Sequence, residues 1–217
     1  MGAIGQGSLK RLLAYSSIAQ AGYLLIGFVV YTDLGIQAVV YYLFVYALAN
    51  LAAFSVIIAR EREVGLGDSM DALRGLGARS PALGAAMTFA MLSLAGIPAT
   101  AGFVGKFTLI ESAADNYAWL AIVLVLGSVV SLAYYLPVVT TIWFDEAERS
   151  EPGPDAATGM PALAGGSPEA DADPPSDGAG EAVFVAVVLG IAIVFFGIVT
   201  GPLYDLVDAV ARGLGLA

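Results

Sequence analysis

Ala95-Gly96-Ile97-Pro98-Ala99-Thr100-Ala101-Gly102-Phe103-Val104-Gly105-Lys106-Phe107 is the stretch that decides the reading of this chain. Its N-terminal flank is free of charge for more than ten residues, and the first charge after it is Glu111. The run is thus a membrane segment that carries its own interruption. Pro98 removes a backbone donor, and Gly96 and Gly102 free the chain from helical geometry. The amides and carbonyls released at mid-depth must find protein or water. Lys106 follows at once, one of only two lysines in the chain. Placing a cation at the centre of a span costs about 2.5–3.5 kcal/mol on insertion scales. A cation kept beside a broken helix points to ion handling, because discontinuous helices build ion sites in transporters. The positive end of the second half-helix, near Gly102–Phe103, should lie close to the amine. With desolvation, it disfavours the ammonium and suits a lysine that gives and takes a proton. The alternative is a lysine that snorkels to the interface.

Working outward, the 217 residues are 59% hydrophobic and 13% charged, with a mean hydropathy of +0.82. A soluble domain is nearer 45–50% apolar, and several runs here exceed the roughly 20 residues that cross a bilayer. The expected fold is all-α: one polytopic membrane helix bundle over 1–217, with about five spans and one discontinuous helix. The spans are expected near 9–31, 35–59, 81–114 (broken at 96–102), 117–144, where Pro137 suggests a kink, and 182–200. Residues 203–214 suggest a short interfacial helix. The first apolar run has no cleavage site behind it. Residues 145–181 carry ten acids and one arginine, nearly all of the net charge of −10. They read as a solvated, disordered loop. Cysteine and histidine are absent, which removes thiolate, haem, iron–sulfur and ordinary zinc chemistry and the usual neutral-pH proton carrier.

The basic residues Lys10, Arg11, Arg60, Arg62, Arg74, Arg79 and Arg149 fall on one side if the broken segment crosses once, leaving only Arg212 opposite. The positive-inside rule then makes the N-terminus cytoplasmic and the C-terminus external, in a multi-pass cell-membrane protein. The Arg60-Glu61-Arg62-Glu63 run reads as a solvated helix end. Gly197 and Gly201 are spaced for a helix contact.

Three helices carry polar stripes. Ser16, Gln20 and Tyr23 share one face, as do Tyr42, Tyr46 and Asn50, and Ser128, Ser131 and Tyr135. They either line a hydrated path with Lys106 or act as interhelical glue worth about 0.6 kcal/mol each. Glu111 lies about 140° around the helix from Lys106. It suits an exit group near the outer surface rather than a direct partner, and Asp115 suits the same role. Lys10 is either a topological anchor or a group at the mouth of a path.

Two long motifs carry a family resemblance. Leu9-Lys10-Arg11-Leu12-Leu13-Ala14-Tyr15-Ser16-Ser17-Ile18-Ala19-Gln20-Ala21-Gly22-Tyr23 resembles a signature of the antiporter-like membrane subunits of respiratory complex I. Met91-Leu92-Ser93-Leu94 through Phe107 resembles another, from a broken helix. Both occur in order, and the likeness covers nearly the whole chain. The Leu-Ala-Gly-Ile-Pro break resembles the N-type subunit of NADH-quinone oxidoreductase. So does the absence of His and Lys from positions 42, 46 and 50, where L- and M-type relatives tend to carry them. N-type relatives often have His where Gln20 stands.

The resemblance implies a non-redox subunit of a proton-translocating, redox-driven quinone oxidoreductase. Lys106 matches the family's broken-helix lysine in the outward half-channel, and Lys10 the lysine of the Leu-Lys-Arg motif. It implies no cofactor in this chain; quinone, flavin and iron–sulfur centres belong to partner subunits. The donor site (NADH, ferredoxin or F420) lies elsewhere too. Expected partners are other complex I membrane subunits, the lipid bilayer, and a separate chain or missing segment that supplies the N-terminal helices, since the family has about fourteen. Nucleic acid is not expected. The other readings are a cation/proton antiporter subunit of the same superfamily and a non-transporting structural fragment.

Overall fold

The computed structural model describes residues 2–64, 66–145 and 179–213. The described chain is all-helical. Helix α1 spans Leu9–Val30, α2 Asp33–Val64, α3 Leu76–Arg79, α4 Pro81–Ala95, α5 Ala101–Ala113, α6 Ala118–Trp143, α7 Ala179–Ile198 and α8 Gly201–Gly213. A 3₁₀ turn, Met70–Leu73, precedes α3. Four helices are long and apolar enough to cross a membrane: α1, α2, α6 and α7. The acidic segment expected at 145–181 falls almost wholly on 146–178, which lies outside the described residues, as does Arg149.

Local chemistry sets the helix ends. Ser8 caps α1 by accepting from the Arg11 amide at 3.2 Å, and its hydroxyl also donates to the Asp68 carboxylate. At the far end Tyr31 takes a left-handed conformation (φ 50°) and its amide bonds back to the Gly27 carbonyl. The Thr32 hydroxyl oxygen then accepts from the Gly35 amide at 3.1 Å and starts α2. This tight αα-hairpin needs small residues where it crosses. A Cβ on Gly27 would overlap Val39 and the Gly35 carbonyl. At 32 residues, α2 is about 48 Å long and outreaches a hydrocarbon core of roughly 30 Å.

That excess length corrects one sequence reading. Arg60 is not on a solvated helix end. It is 2% exposed, and its guanidinium donates to the Ala72 carbonyl at 2.9 Å and pairs with Glu63. The α2 helix runs past the expected end at residue 59, and residues 66–80 fold back over its last turns. The α6 helix likewise continues through Pro137 without interruption.

Two apolar clusters mark the two ends of the bundle. One joins Leu9, Leu12 and Leu13 of α1 to Val56 and Ile57 of α2, Leu76, Met87 and Met91, and Tyr135 and Ile142 of α6. The other joins Tyr23, Ile26 and Val30 to Val39, Leu109, Ala113 and Leu124. The pair α4–α5 runs from the first cluster to the second. Lys10, Arg60 and Arg74 gather at the first end. Lys10 pairs there with Glu61 at 2.6 Å, and the Gly75 amide bonds the Asp145 carbonyl at 3.1 Å. Large apolar side chains such as Ile18, Leu25, Leu126 and Phe184 face outward, as a bundle in lipid requires.

Candidate functional site

The break is built by backbone chemistry. Gly96 closes α4 in the left-handed region (φ 84°). Its amide reaches the Ser93 carbonyl at 3.0 Å, and the Ile97 amide reaches the Leu92 carbonyl at 2.9 Å. This Schellman arrangement satisfies the carbonyls of Leu92 and Ser93. It leaves those of Leu94 and Ala95 without helical partners. Across the gap, the Ser93 hydroxyl accepts from the Gly102 amide at 3.1 Å and satisfies one free donor at the start of α5. Glycine is required at 102 because a Cβ there would overlap the Ser93 carbonyl. Ala99 also holds a positive φ of 70° within the gap.

Lys106 completes this arrangement. It is 3% exposed, and its ammonium donates to the Leu94 carbonyl at 2.8 Å and the Ala95 carbonyl at 3.0 Å. Helical side chains lean toward their own N-terminus, so Lys106 reaches back across the break to the carbonyl end of α4. The amine touches the negative end of α4, not only the positive end of α5. Gly96 has a second role here, since a Cβ on it would come within 2.8 Å of Lys106 Cδ. The ammonium also lies 5.0 Å from the centroid of the Tyr23 ring. No carboxylate pairs with it among the described residues.

Beside the amine lies a fully buried polar knot. Gln20 donates from Nε2 to the Leu94 carbonyl at 3.1 Å and to the Tyr135 hydroxyl at 3.2 Å, and its Oε1 accepts from the Tyr42 hydroxyl. Gln20 of α1, held by Tyr42 of α2 and Tyr135 of α6, thus meets the freed carbonyl that Lys106 also holds. Gly105 lets α5 come this close to α2; a Cβ there would sit 2.7 Å from Tyr42 Cδ2. A cavity of about 210 Å³ opens between α5 and α6, lined by Lys106, Ser128, Gly96, Phe103, Phe107 and Leu124 among others.

The structure brings together Lys106, Gln20, Tyr42, Tyr135 and Tyr23, with the break residues Gly96, Pro98 and Gly102 around them. Ser16 packs next to Tyr135, and Ser128 next to Tyr23. The Ser16 hydroxyl donates to the Leu13 carbonyl and that of Ser131 to the Ser128 carbonyl, each within its own helix. Three expected residues, Asn50, Glu111 and Lys10, stand apart, while Tyr46 lies near Tyr42. Tyr46 and Asn50 are half-buried, and the Asn50 amide donates to the Tyr46 carbonyl of the same helix. Glu111 is exposed. Lys10 is half-exposed and paired with Glu61 at the charged end of the bundle. Five of the expected polar residues, Lys106, Gln20, Tyr23, Tyr42 and Tyr135, thus form a compact cluster at the break.

Sequence reasoning passed over Ser93, Tyr134 and Tyr204. Ser93 lies nine residues from the amide it caps. Tyr134 stacks near Tyr135 with centroids 4.5 Å apart. Tyr204 of α8 shares a 2.6 Å hydrogen bond with Thr108, and its ring lies 4.8 Å from that of Tyr41. Only the period of Leu203 and Val207, both buried, hinted that α8 docks on the bundle and does not merely lie at the interface.

Comparison with known proteins places these features. Residues 1–131 match the family model described as NADH:quinone oxidoreductase/Mrp antiporter, TM. Curated N subunits of NADH-quinone oxidoreductase are among the relatives. One, subunit N 2 from Sorangium cellulosum, is 39% identical over 211 residues, which are 95% of this chain and 37% of that protein. A chain of respiratory complex I from Thermus thermophilus superposes with a TM-score of 0.67 at 32% identity, covering 94% of this chain and 41% of its own. A chain of the Mrp complex from Dietzia sp. DQ12-45-1b gives 0.73 at 26% identity, covering 95% and 42%. The chain thus spans about two fifths of the length of the proteins it matches. It belongs to the NADH:quinone oxidoreductase/Mrp antiporter transmembrane family, as an antiporter-like membrane subunit of the N type.

Proposed function

We propose that this chain is part of a membrane subunit of a redox-driven proton pump of the NADH-quinone oxidoreductase type, and that Lys106 carries protons through it. The observation behind this reading is the setting of the amine. It is buried at a gap in its own span, is held by two backbone carbonyls, and has no carboxylate partner among the described residues. A carbonyl pair holds an ammonium in place but does not neutralise it, so the charge stays sensitive to any change nearby. Gln20, held by Tyr42 and Tyr135, fixes the Leu94 carbonyl and thereby the position of the amine.

In this reading the chain has no redox centre, and quinone, flavin and iron–sulfur groups sit on partner subunits. Other complex I membrane subunits and a source of further N-terminal helices complete the path. The basic end of the bundle faces the cytoplasm. Lys10 anchors that end, and Glu111 stands at the outer surface as an exit group.

The test is acidification of sealed, inverted membrane vesicles during quinone reduction. Lys106→Ala should abolish acidification while the assembled complex still reduces quinone. Persistent acidification would exclude the role given to Lys106. The likeness to the Mrp chain favours a second reading, cation/proton antiport. In that case acidification of the vesicles would respond to a sodium gradient without any electron donor.

A further inference from the structure

Resting on that proton-carrying reading, we infer that α8 and the end of α7 form a strap that seats the half-helix α5, and that Tyr204, acting through Thr108, is a positioning residue for the Lys106 amine.

The break creates the need for such a part. The backbone ladder of α4 stops at Gly96 and that of α5 starts at Ala101. Nothing within the span itself therefore fixes how far α5 slides or turns. The bond from the Gly102 amide to the Ser93 hydroxyl holds only its first turn. A slip of one residue is about 1.5 Å. That is enough to take the 2.8 Å contact between the ammonium and the Leu94 carbonyl out of hydrogen-bond range.

Opposite faces of α5 meet different neighbours. Lys106 turns to the gap. Ala101, Val104 and Thr108 lie about 140–200° around the helix from it. Ala101 is buried in a cluster with Tyr41 and Val45 of α2 and Leu203 and Val207 of α8, and Val104 and Tyr204 pack against that cluster. The strap thus presses on α5 from behind the amine.

Both parts of the strap make close contact. Gly197 lies so near the start of α5 that a Cβ on it would stand 2.5 Å from the Thr100 carbonyl carbon and 2.7 Å from the Ala101 nitrogen. The Phe196 carbonyl, in the last turn of α7, accepts from the Tyr41 hydroxyl at 3.2 Å, which ties this end to α2. The chain then turns at Thr200, whose carbonyl accepts from the amides of Leu203 and Tyr204 at 3.2 and 3.1 Å. Leu203 and Val207 are buried as α8 settles on the bundle.

The link that sets register is polar. The Thr108 hydroxyl donates to the Val104 carbonyl at 2.9 Å. A hydroxyl has one hydrogen to give, so Tyr204 is the donor in the 2.6 Å contact between the two. Thr108 is 3% exposed, which keeps competing water away. Apolar contacts are non-directional, so Leu203 and Val207 hold α8 down without fixing where α5 stands. The Tyr204–Thr108 bond is directional, and it lies only two residues from Lys106.

The test uses the full complex in sealed vesicles. Tyr204→Phe and Thr108→Val each remove this bond. Both should lower protons pumped per electron while assembly and quinone reduction persist. Because they remove the same bond, the double variant should pump no worse than Thr108→Val alone. Thr108→Ser keeps the hydroxyl and should pump as the wild type does. A wild-type ratio in Tyr204→Phe, or losses that add in the double variant, would overturn the inference. The position of α5 is read separately. The chain has no cysteine, so spin labels can be placed at Tyr31→Cys, after α1, and Ala114→Cys, at the end of α5, both exposed. Their dipolar coupling reports the spacing. In Tyr204→Phe a displaced spacing should gain about two- to tenfold in weight, the equivalent of one hydrogen bond. An unchanged distribution would also overturn the inference. If the spacing shifts but Lys106→Ala still pumps, the seating of α5 stands and the lysine reading fails. If Lys106→Ala stops pumping while spacing and ratio in Tyr204→Phe stay those of the wild type, the lysine reading stands and the strap fails.

Discussion

Lys106 and Gln20 donate to the same acceptor, the carbonyl oxygen of Leu94, at 2.8 and 3.1 Å. That oxygen is available only because the helix stops at Gly96. The glycine, the amide and the lysine therefore work as one device: the first frees the carbonyl, the second pins it, and the third uses it.

Removing the amide leaves three polar groups short of a partner. Gln20→Leu strips the Tyr42 and Tyr135 hydroxyls of a shared neighbour and loosens the Leu94 carbonyl. With about 1–3 kcal/mol for the buried Tyr42 hydroxyl left unpaired, the purified complex should melt at a lower temperature, which a thermal unfolding scan would detect. A melting point within error of the wild type would show that the knot is dispensable.

The break should tolerate its glycines only as glycines. Gly102→Ala forces a Cβ onto the Ser93 carbonyl, and Gly96→Ala adds left-handed strain and a contact with the lysine stem. Both should cut the amount of assembled subunit in membranes severely. Ser93→Ala, which removes only the cap on the Gly102 amide, should cost about 0.5–2 kcal/mol and still assemble. Immunoblots of membrane fractions would rank the three.

The two charged groups at the basic end should differ sharply. Arg60→Ala empties a buried site and unpairs the Ala72 carbonyl, so about 3 kcal/mol or more should be lost, as for other broken buried networks. Lys10→Ala breaks a half-exposed pair worth about 0–1 kcal/mol. Chemical denaturation of the detergent-solubilised subunit would separate them. A large loss in Lys10→Ala would give that residue more than an anchoring role.

Tyr204→Phe removes the hydrogen bond from α8 to Thr108 on α5 and should cost about 1 kcal/mol. Limited proteolysis should then release the C-terminal helix sooner. Unchanged release would mean that Leu203 and Val207 hold α8 unaided.

How much of this was legible in the sequence depended on range. The gap was legible because Gly96, Pro98 and Gly102 act on their own backbone, and α4 and α5 end within two residues of the expected limits. The faces of α1 and α2 were legible from helical period alone. Whether Gln20, Tyr42 and Tyr135 meet each other, or meet Tyr46 and Asn50, depends on how helices 22 to 115 residues apart are rotated. No local pattern encodes that. The contact of Lys106 with the carbonyl end of α4 was not legible for a related reason. Position along α5 places the Cα near a positive helix end, but a four-carbon stem leaning backward carries the charge to the next helix. The burial of Arg60 depended on a loop that folds back over it, and polar runs look alike whether or not something covers them.

The most direct test of the central claim is the proton-per-electron ratio of the intact complex in sealed vesicles, with Lys106→Ala beside wild type. If the amine carries protons, the ratio falls in the variant although quinone is still reduced and the subunits remain assembled. An unaltered ratio in a fully assembled variant would contradict the account.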